Sequence, residues 1–404
     1  MVEILSHTKN ATLHQSNILK NTTNINFKCT NGTYVVCIKP KKMLKVKIND
    51  TVRELNLKIQ YNFICKTDHI NISMNRLFLN DILNNDEILD FVYVFENGIP
   101  IAINKCNYQI LYSFDSNYFH GAFTSIYSLI YNFDKNKLFD LNINLCVPEE
   151  DFNLITKELN RFIGLSKLNT NYTLTSSTMA MVDKGFMDTK CYKGGNHLLK
   201  LSNFSRLVAG QFIESSKLLY IDSDTIAQTD MSKCLDKIID TNYVVLGKKS
   251  HMNYTNLINI NNVSHVKAYL GQNFDLTQNV IYTGTMILNT KNFRKFYPKM
   301  IDLVKRHNKV KNGIYKLFTM SIINLAINNH MKFADEYIIN VVDLGFKSDL
   351  EKENNTADVL DWSGMFKPWF TNGLYKEYWM KYNVMYSDYC GDVMYLKDTT
   401  EKFK

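Results

Sequence analysis

Residues 217–225 read Lys217-Leu218-Leu219-Tyr220-Ile221-Asp222-Ser223-Asp224-Thr225. An unbroken apolar run of this length suits a strand buried on both faces. It leads straight into two carboxylates spaced i, i+2. A strand end lets the chain bend, so both sets of oxygens can turn toward one point. Paired carboxylates with diphosphate oxygens make a hard-oxygen site of the kind that Mn2+ or Mg2+ takes. The spacing alone decides little: 26 Asp in 404 residues supply about one or two Asp-x-Asp by chance. This one is the only instance in the chain, and it follows an apolar strand. Alone it also fits an exposed turn that caps the helix after Asp230.

Outward from this stretch, strand and helix patterns alternate over 106–390. Strands are expected at 108–114, 141–147, 217–222, 242–247 and 280–289. Helices are expected at 118–133, 149–163, 197–212, 291–307 and 315–329. Such alternation implies an α/β, Rossmann-like sheet with helices on both faces, whose ligands bind beyond the carboxyl ends of the strands. Two further segments then draw notice. In Ser113-Phe-Asp115-Ser-Asn117 a strand ends in Asp and Asn, which suit the polar edge of a base or ribose, or a helix N-cap. In Asp361-Trp-Ser-Gly364-Met-Phe-Lys367-Pro-Trp369, glycine permits close backbone approach to a phosphate and lysine supplies a point charge. An aromatic-anchored loop with an incidental lysine is the plainer reading of that segment.

Composition sets the bounds. Hydrophobic residues make up 45% and charged residues 21%, which excludes collagen, coiled coil and wholesale disorder. No apolar run reaches membrane-spanning length, and the start lacks a signal-peptide pattern. A cytoplasmic location is expected, or a virion or viral factory if the Lys/Asn/Ile-heavy composition marks a viral chain. The net charge of +8 is diffuse and reads as a solvated basic surface rather than a nucleic-acid face. None of the eight Cys forms a C-x-x-C pair, so no zinc or thioredoxin-type motif is present.

Residues 1–32 read as a loose polar arm and 391–404 as a polar tail. Between 33 and 97, strands at 33–38 and 43–48, a helix capped by Asp50-Thr51 and running to Tyr61, and strands at 76–79 and 91–95 follow one another. The stretches INDTVRELNLKIQ and MNRLFLNDILNNDEIL resemble ubiquitin-like β-grasp domains. No Gly-Gly terminus follows, so conjugation is not implied.

Taken together, the three segments of the larger module resemble the retaining glycosyltransferases of family 8. ILYSFDSNYFHGAF, FSRLVAGQF, KLLYIDSDTIAQTDMSKCLD, YTGTMILNTKNFRKF and VLDWSGMFKPW carry the resemblance. It implies a GT-A fold and a UDP-sugar donor with Mn2+ or Mg2+. Ser113, Asp115 and Asn117 would then contact uridine. Arg206 would sit near sugar and diphosphate. Asp222, Asp224 and Asp361 would hold the metal, Asp222 also reaching the ribose, and Gly364 and Lys367 would contact the diphosphate. Asp224, Lys367 and Arg206 would carry the catalytic electrostatics.

Three departures stand out: Asp361 replaces the family's metal-binding His, Thr283 its Asn, and Thr319-Met320-Ser321 its acidic Asp-Gln-Asp segment. A nucleotide-sugar-binding pseudoenzyme and an interaction protein working through residues 33–97 are the other readings. The acceptor, a glycan or protein hydroxyl, is expected to meet loops near 250–279 and 343–358, and a homodimer is left open.

Overall fold

A computed structural model of the chain describes residues 24–40, 44–48, 51–55, 59–76, 89–96, 106–168, 170–177, 201–334, 338–345, 356–364, 366–370 and 372–385. The strands are β1 Asn24–Pro40, β2 Leu44–Ile48, β3 Thr51–Leu55, β4 Ile59–Arg76, β5 Leu89–Glu96, β6 Tyr108–Ser113, β7 Leu141–Pro148, β8 Asn171–Ser177, β9 Leu218–Ile221, β10 Thr225–Ala227, β11 Val245–Asn253, β12 Asn279–Leu288, β13 Met331–Ala334, β14 Val341–Asp343 and β15 Val359–Asp361. The longer helices are α1 Phe119–Asn132, α2 Phe152–Ser166, α3 Leu201–Phe212, α4 Tyr297–Lys309 and α5 Phe318–Ile327. Among the described residues no helix is long and apolar enough to cross a membrane.

The main sheet runs β13-β11-β12-β9-β6-β7-β8-β4-β1-β5. Strands β9, β6, β7, β8 and β4 are parallel neighbours. Alternation along each strand feeds two cores, as the period of two demands. Ile110, Tyr112, Leu219, Ile221 and Ile287 face one core with α1 and α2. Leu111, Leu218, Tyr220, Met286 and Leu288 face the other with α3, α4 and α5. This two-sided burial is why the run 218–221 lacks polar alternation. A small sheet of order β10-β15-β14 stands apart, packed on Trp362, Trp369 and Trp379.

The chain passes from β6 through β7 to β8 on one side and returns to β9 on the other side of β6. The order therefore reverses between β6 and β9, which is where ligands bind in open α/β sheets.

Several expectations need correction. The helix expected from Asp50-Thr51 to Tyr61 is replaced by β3 and the start of β4. Lys45 and Lys47 alternate with Leu44, Val46 and Ile48, Lys45 lies opposite Glu54, and Ile48 pairs with Thr51 two residues on, a hairpin spacing. β1 pairs with β4 and β5 rather than with β2. It begins at Asn24, inside the expected arm, and β4 joins β8. The 291–307 helix is two pieces, Thr290–Arg294 and α4. Residues 77–88, 346–355 and the tail from 386 lie outside the described residues.

Candidate active site

Asp222-Ser223-Asp224 is the link by which the chain leaves β9 in the large sheet and enters β10 in the small one. Both aspartates, half-buried, stand just past the carboxyl end of β9. The helix-cap alternative for this stretch does not hold, since Asp230 caps that helix, accepting from the Ser232 N–H at 3.0 Å.

Asp361 arrives on the neighbouring strand. It pairs with Thr225 across β10 and β15, and the Trp362 N–H donates to the Asp224 carbonyl at 3.0 Å. The two aspartates, far apart in sequence, thus meet at one end of the small sheet. Asp343 on β14 lies in register with Asp361 on its other side.

Each carboxylate has a partner from the chain. Arg206, on α3, donates through Nη2 to Asp222 Oδ1 at 2.8 Å. It is held there by the Asn203 carbonyl at 3.2 Å, the Asn203 amide oxygen at 3.0 Å and the Thr283 carbonyl at 3.3 Å. Its guanidinium also covers the Tyr220 ring, 4.6 Å from the centroid. The Tyr220 hydroxyl donates to Asp222 as well. Lys367 donates to Asp224 and to the Trp362 carbonyl. The Tyr282 hydroxyl donates to Asp361 at 2.6 Å.

The electrostatics follow from burial. Asp361 is 1% exposed; burial, then Asp224, Asp343 and Asp222, push its carboxyl well above the usual range. Burial also lifts Asp222, with Arg206 pulling back and Asp224 pushing up. Burial alone would draw the Lys367 ammonium down, but Asp224 and its other anionic neighbours outweigh it, and the net shift is up.

The remaining predicted residues divide. Asp115, buried, accepts from the Asn117 N–H at 2.8 Å and its side-chain amide at 3.0 Å. The pair stands at the end of β6, beside the end of β9. Ser113, at the end of β6, donates to the Ser202 carbonyl on α3. Gly364 is exposed with φ +85°, a conformation that favours glycine. Gly373 closes the same loop: a Cβ there would strike the Lys367 carbonyl.

A model of glycosyl transferase family 8 matches residues 109–373. The chain belongs to that family. Of this family-8 chain, 71% aligns with 51% of the bifunctional glycosyltransferase WbbM, at 17% identity and TM-score 0.53. It thus spans about half that protein's length. The glycosyltransferase GlyE of Streptococcus pneumoniae aligns over 71% of this chain and 62% of its own at 16% identity and TM-score 0.42. The galactosyltransferase LgtC, solved with donor and acceptor sugar analogues, aligns over 68% and 95% at 13% identity and TM-score 0.47. No curated protein matches the chain. The likeness to WbbM shows the fold, that of GT-A glycosyltransferases.

The family implies a divalent ion, and the donor chemistry here fits one: hard carboxylate oxygens whose mutual repulsion a cation relieves. The ligand set is not drawn together, however. Among the described residues no three His, Cys, Asp or Glu side chains gather closely enough to hold an ion. Arg206, Lys367 and Tyr282 each bond one of the three carboxylates.

Sequence reasoning missed four residues of this family-8 site. Tyr282 stands beside Thr283, which was singled out; the hydroxyl reaching Asp361 belongs to Tyr282, while Thr283 offers only its carbonyl. Asp343 falls at the edge of the loop expected near 343–358, although Val341-Val342-Asp343 repeats the apolar-run-then-Asp signal of β9. Asn203 links Arg206 to Thr319, whose hydroxyl donates to the Asn203 amide oxygen at 3.2 Å. Tyr118 lies within electrostatic reach of Lys367, Asp224 and Asp115, with its ring edge-on to Trp369 at 5.8 Å.

Proposed function

We propose that the chain transfers a hexose from a UDP-sugar to a hydroxyl acceptor with retention of configuration, aided by a divalent cation. The observation that carries this reading is the pairing of Arg206 with Asp222 and of Lys367 with Asp224, with Asp361 on the adjoining strand, at the β6–β9 switch point of a family-8 domain. Asp115 and Asn117, at the neighbouring strand end, would take the uridine, and Asp222 the ribose.

Asp222, Asp224 and Asp361 would hold Mn2+ or Mg2+, which supplies Lewis-acid neutralisation of the diphosphate when bound. Lys367 and the Gly364 backbone would bind diphosphate oxygens. Lys367 stabilises the charge that builds on the departing UDP, and Arg206 holds the sugar side of the crevice. The acceptor hydroxyl attacks the anomeric carbon from the face that the leaving group vacates. The C–O bond to phosphate breaks, the new glycosidic C–O bond forms, and the acceptor proton passes to the leaving phosphate oxygen. Retention then needs no carboxylate nucleophile.

A second reading, donor binding without transfer, is favoured by one observation. Thr319 and Ser321 stand in place of acidic residues, and their hydroxyls are spent on the Asn203 amide oxygen and the Leu257 carbonyl. A screen of UDP- and GDP-sugars with Mn2+, read by nucleotide release and calorimetry, separates the two. UDP release marks the transferase; UDP binding without release marks the second reading. In Asp224→Asn, metal-dependent binding should weaken by about tenfold or more, at least what loss of an outer-shell partner of a metal ligand costs. Wild-type affinity in that variant would count against the site.

A further inference from the structure

The chain carries a net charge of +8, which is not diffuse as the sequence suggested but local. Residues 291–316 hold nine Lys or Arg and one Asp, and over the rest of the chain basic and acidic residues balance. The run centres on α4, whose helical period sorts it into two faces. Met300, Leu303 and Val304 enter the core shared with α3 and α5. Lys295, Lys299, Lys305, Arg306, Lys309 and Lys311, on the helix or beside it, are exposed. Among the described residues Asp302 is the acid that answers them, pairing with Arg306 at 2.7 Å. The helix dipole favours cations in the last turn, where Arg306 and Lys309 stand, but opposes Lys299 in the first. Lys305 and Lys309 also repel each other at i, i+4. Like charge concentrated in this way, and left uncompensated by the fold, suits an anionic partner outside the chain.

We propose that this face of α4 is a docking surface for an anionic lipid bilayer, held by charge alone. The outer side of a helix is convex. Its lysines therefore meet a plane of anionic headgroups more readily than a single nucleic-acid strand, which a basic groove tracks. Rings that could stack nucleobases are capped: Lys299 covers the Phe296 ring, 5.2 Å from its centroid, and Arg306 the Tyr269 ring at 5.8 Å. None of the large exposed hydrophobics among the described residues falls within 291–316. No large apolar side chain is there to insert among acyl chains, so attachment is peripheral and reversed by salt. Each Lys or Arg near an anionic membrane surface raises affinity about fivefold.

The test is co-sedimentation of the full chain with vesicles of phosphatidylcholine, either alone or with about 30% phosphatidylserine, in about 0.1 M NaCl. Wild type should bind the phosphatidylserine vesicles and not the neutral ones, and should be released in about 0.5 M NaCl. The triple variant Lys299→Glu, Lys305→Glu, Lys309→Glu should bind at least about a hundredfold more weakly, at about fivefold per lysine. The control triple variant Lys157→Glu, Lys233→Glu, Lys381→Glu changes the charge of the whole chain by the same amount at exposed lysines elsewhere. It should lose less than about fivefold, since charges far from the contact are screened. Far-UV circular dichroism and thermal melts establish that both variants fold. Should the α4 variant not fold, glutamine at the same three positions takes its place, with an expected loss of about a hundredfold. Wild type that stays in solution with anionic vesicles overturns the proposal. So do equal losses in the two triple variants, or binding that salt leaves unmoved. Displacement from the vesicles by duplex DNA at matched phosphate concentration would assign the face to nucleic acid and overturn it as well.

Discussion

The Tyr282 hydroxyl donates to Oδ2 of Asp361 at 2.6 Å, across 79 positions of sequence. Burial, then Asp361 itself, push the phenol well above its ordinary range, so it keeps its proton and stays a donor. Tyr282 is therefore a positioning residue: it fixes the direction of a carboxylate that burial and three acidic neighbours would otherwise leave unsupported.

Removing that donor should be costly. Tyr282→Phe is expected to destabilise the chain by about 1–3 kcal/mol, the cost of a buried polar group left without its partner. Urea unfolding measures it. An unchanged midpoint would show that Asp361 finds another donor.

Asp361 and Asp222 both hold protons above the ordinary aspartate value of 3.8. Between that value and the raised one, the folded chain binds more protons than the unfolded chain. The stability these groups contribute is present at low pH and lost as pH rises through the raised value. Mn2+ needs them ionised, so its affinity together with UDP should climb over the same window. Calorimetry at stepped pH reads the affinity and thermal melts read the stability. Both slopes should flatten in Asp361→Asn, and Mn2+ affinity that falls as pH rises would count against this assignment.

Asp361→His is expected to keep metal-dependent UDP binding. Imidazole is also a good Mn2+ ligand, and one fewer negative charge eases the repulsion with Asp224. Complete loss in calorimetry would show that only a carboxylate serves here.

Gly121 lets α1 approach the Asp222–Asp224 link. A Cβ there would lie 2.8 Å from the Trp369 ring and 3.0 Å from the Ser223 carbonyl. Gly121→Ala should cost about 1–3 kcal/mol by overpacking and weaken UDP binding as Ser223 shifts. Gly164→Ala, on the exposed side of α2 with nothing within 4 Å, is the control and should stabilise by about 1 kcal/mol. Matching thermal shifts for the two variants would refute the close approach.

His307 is 1% exposed, and its Nδ1 accepts from the Ile314 and Tyr315 N–H groups at 3.0 and 3.3 Å. Burial lowers its pKa from 6.5 to about 4. In that window the unfolded chain takes a proton that the folded chain refuses, so stability is lost as pH falls from about 6.5 to about 4. His307→Gln should remove that slope in chemical unfolding at stepped pH. Equal slopes in both chains would place the acid sensitivity elsewhere.

Much of the larger module was legible because its signals are local. The strands around Ile110 and Leu219 are apolar runs closed by polar residues, β7 alternates Leu141, Ile143 and Leu145 with asparagines, and α1, α2 and α5 carry helical periodicity between them. The N-terminal strands were harder. Val52, Leu55 and Ile59 fit one helix face as well as two strands, and strand pairing in β2, β3 and β4 decided between them.

By itself, the sequence determined the α/β alternation, the strand that ends in Asp222-Ser223-Asp224 and the Gly364–Lys367 loop, because strand period and strand-end chemistry are written in neighbouring residues. Only the tertiary structure decided that Asp361 sits beside Asp224, that Tyr282 rather than Thr283 reaches it, and that Lys367 lies on Asp224. Those pairings depend on which strands share an edge and how far a side chain extends across it, and no local spacing encodes either.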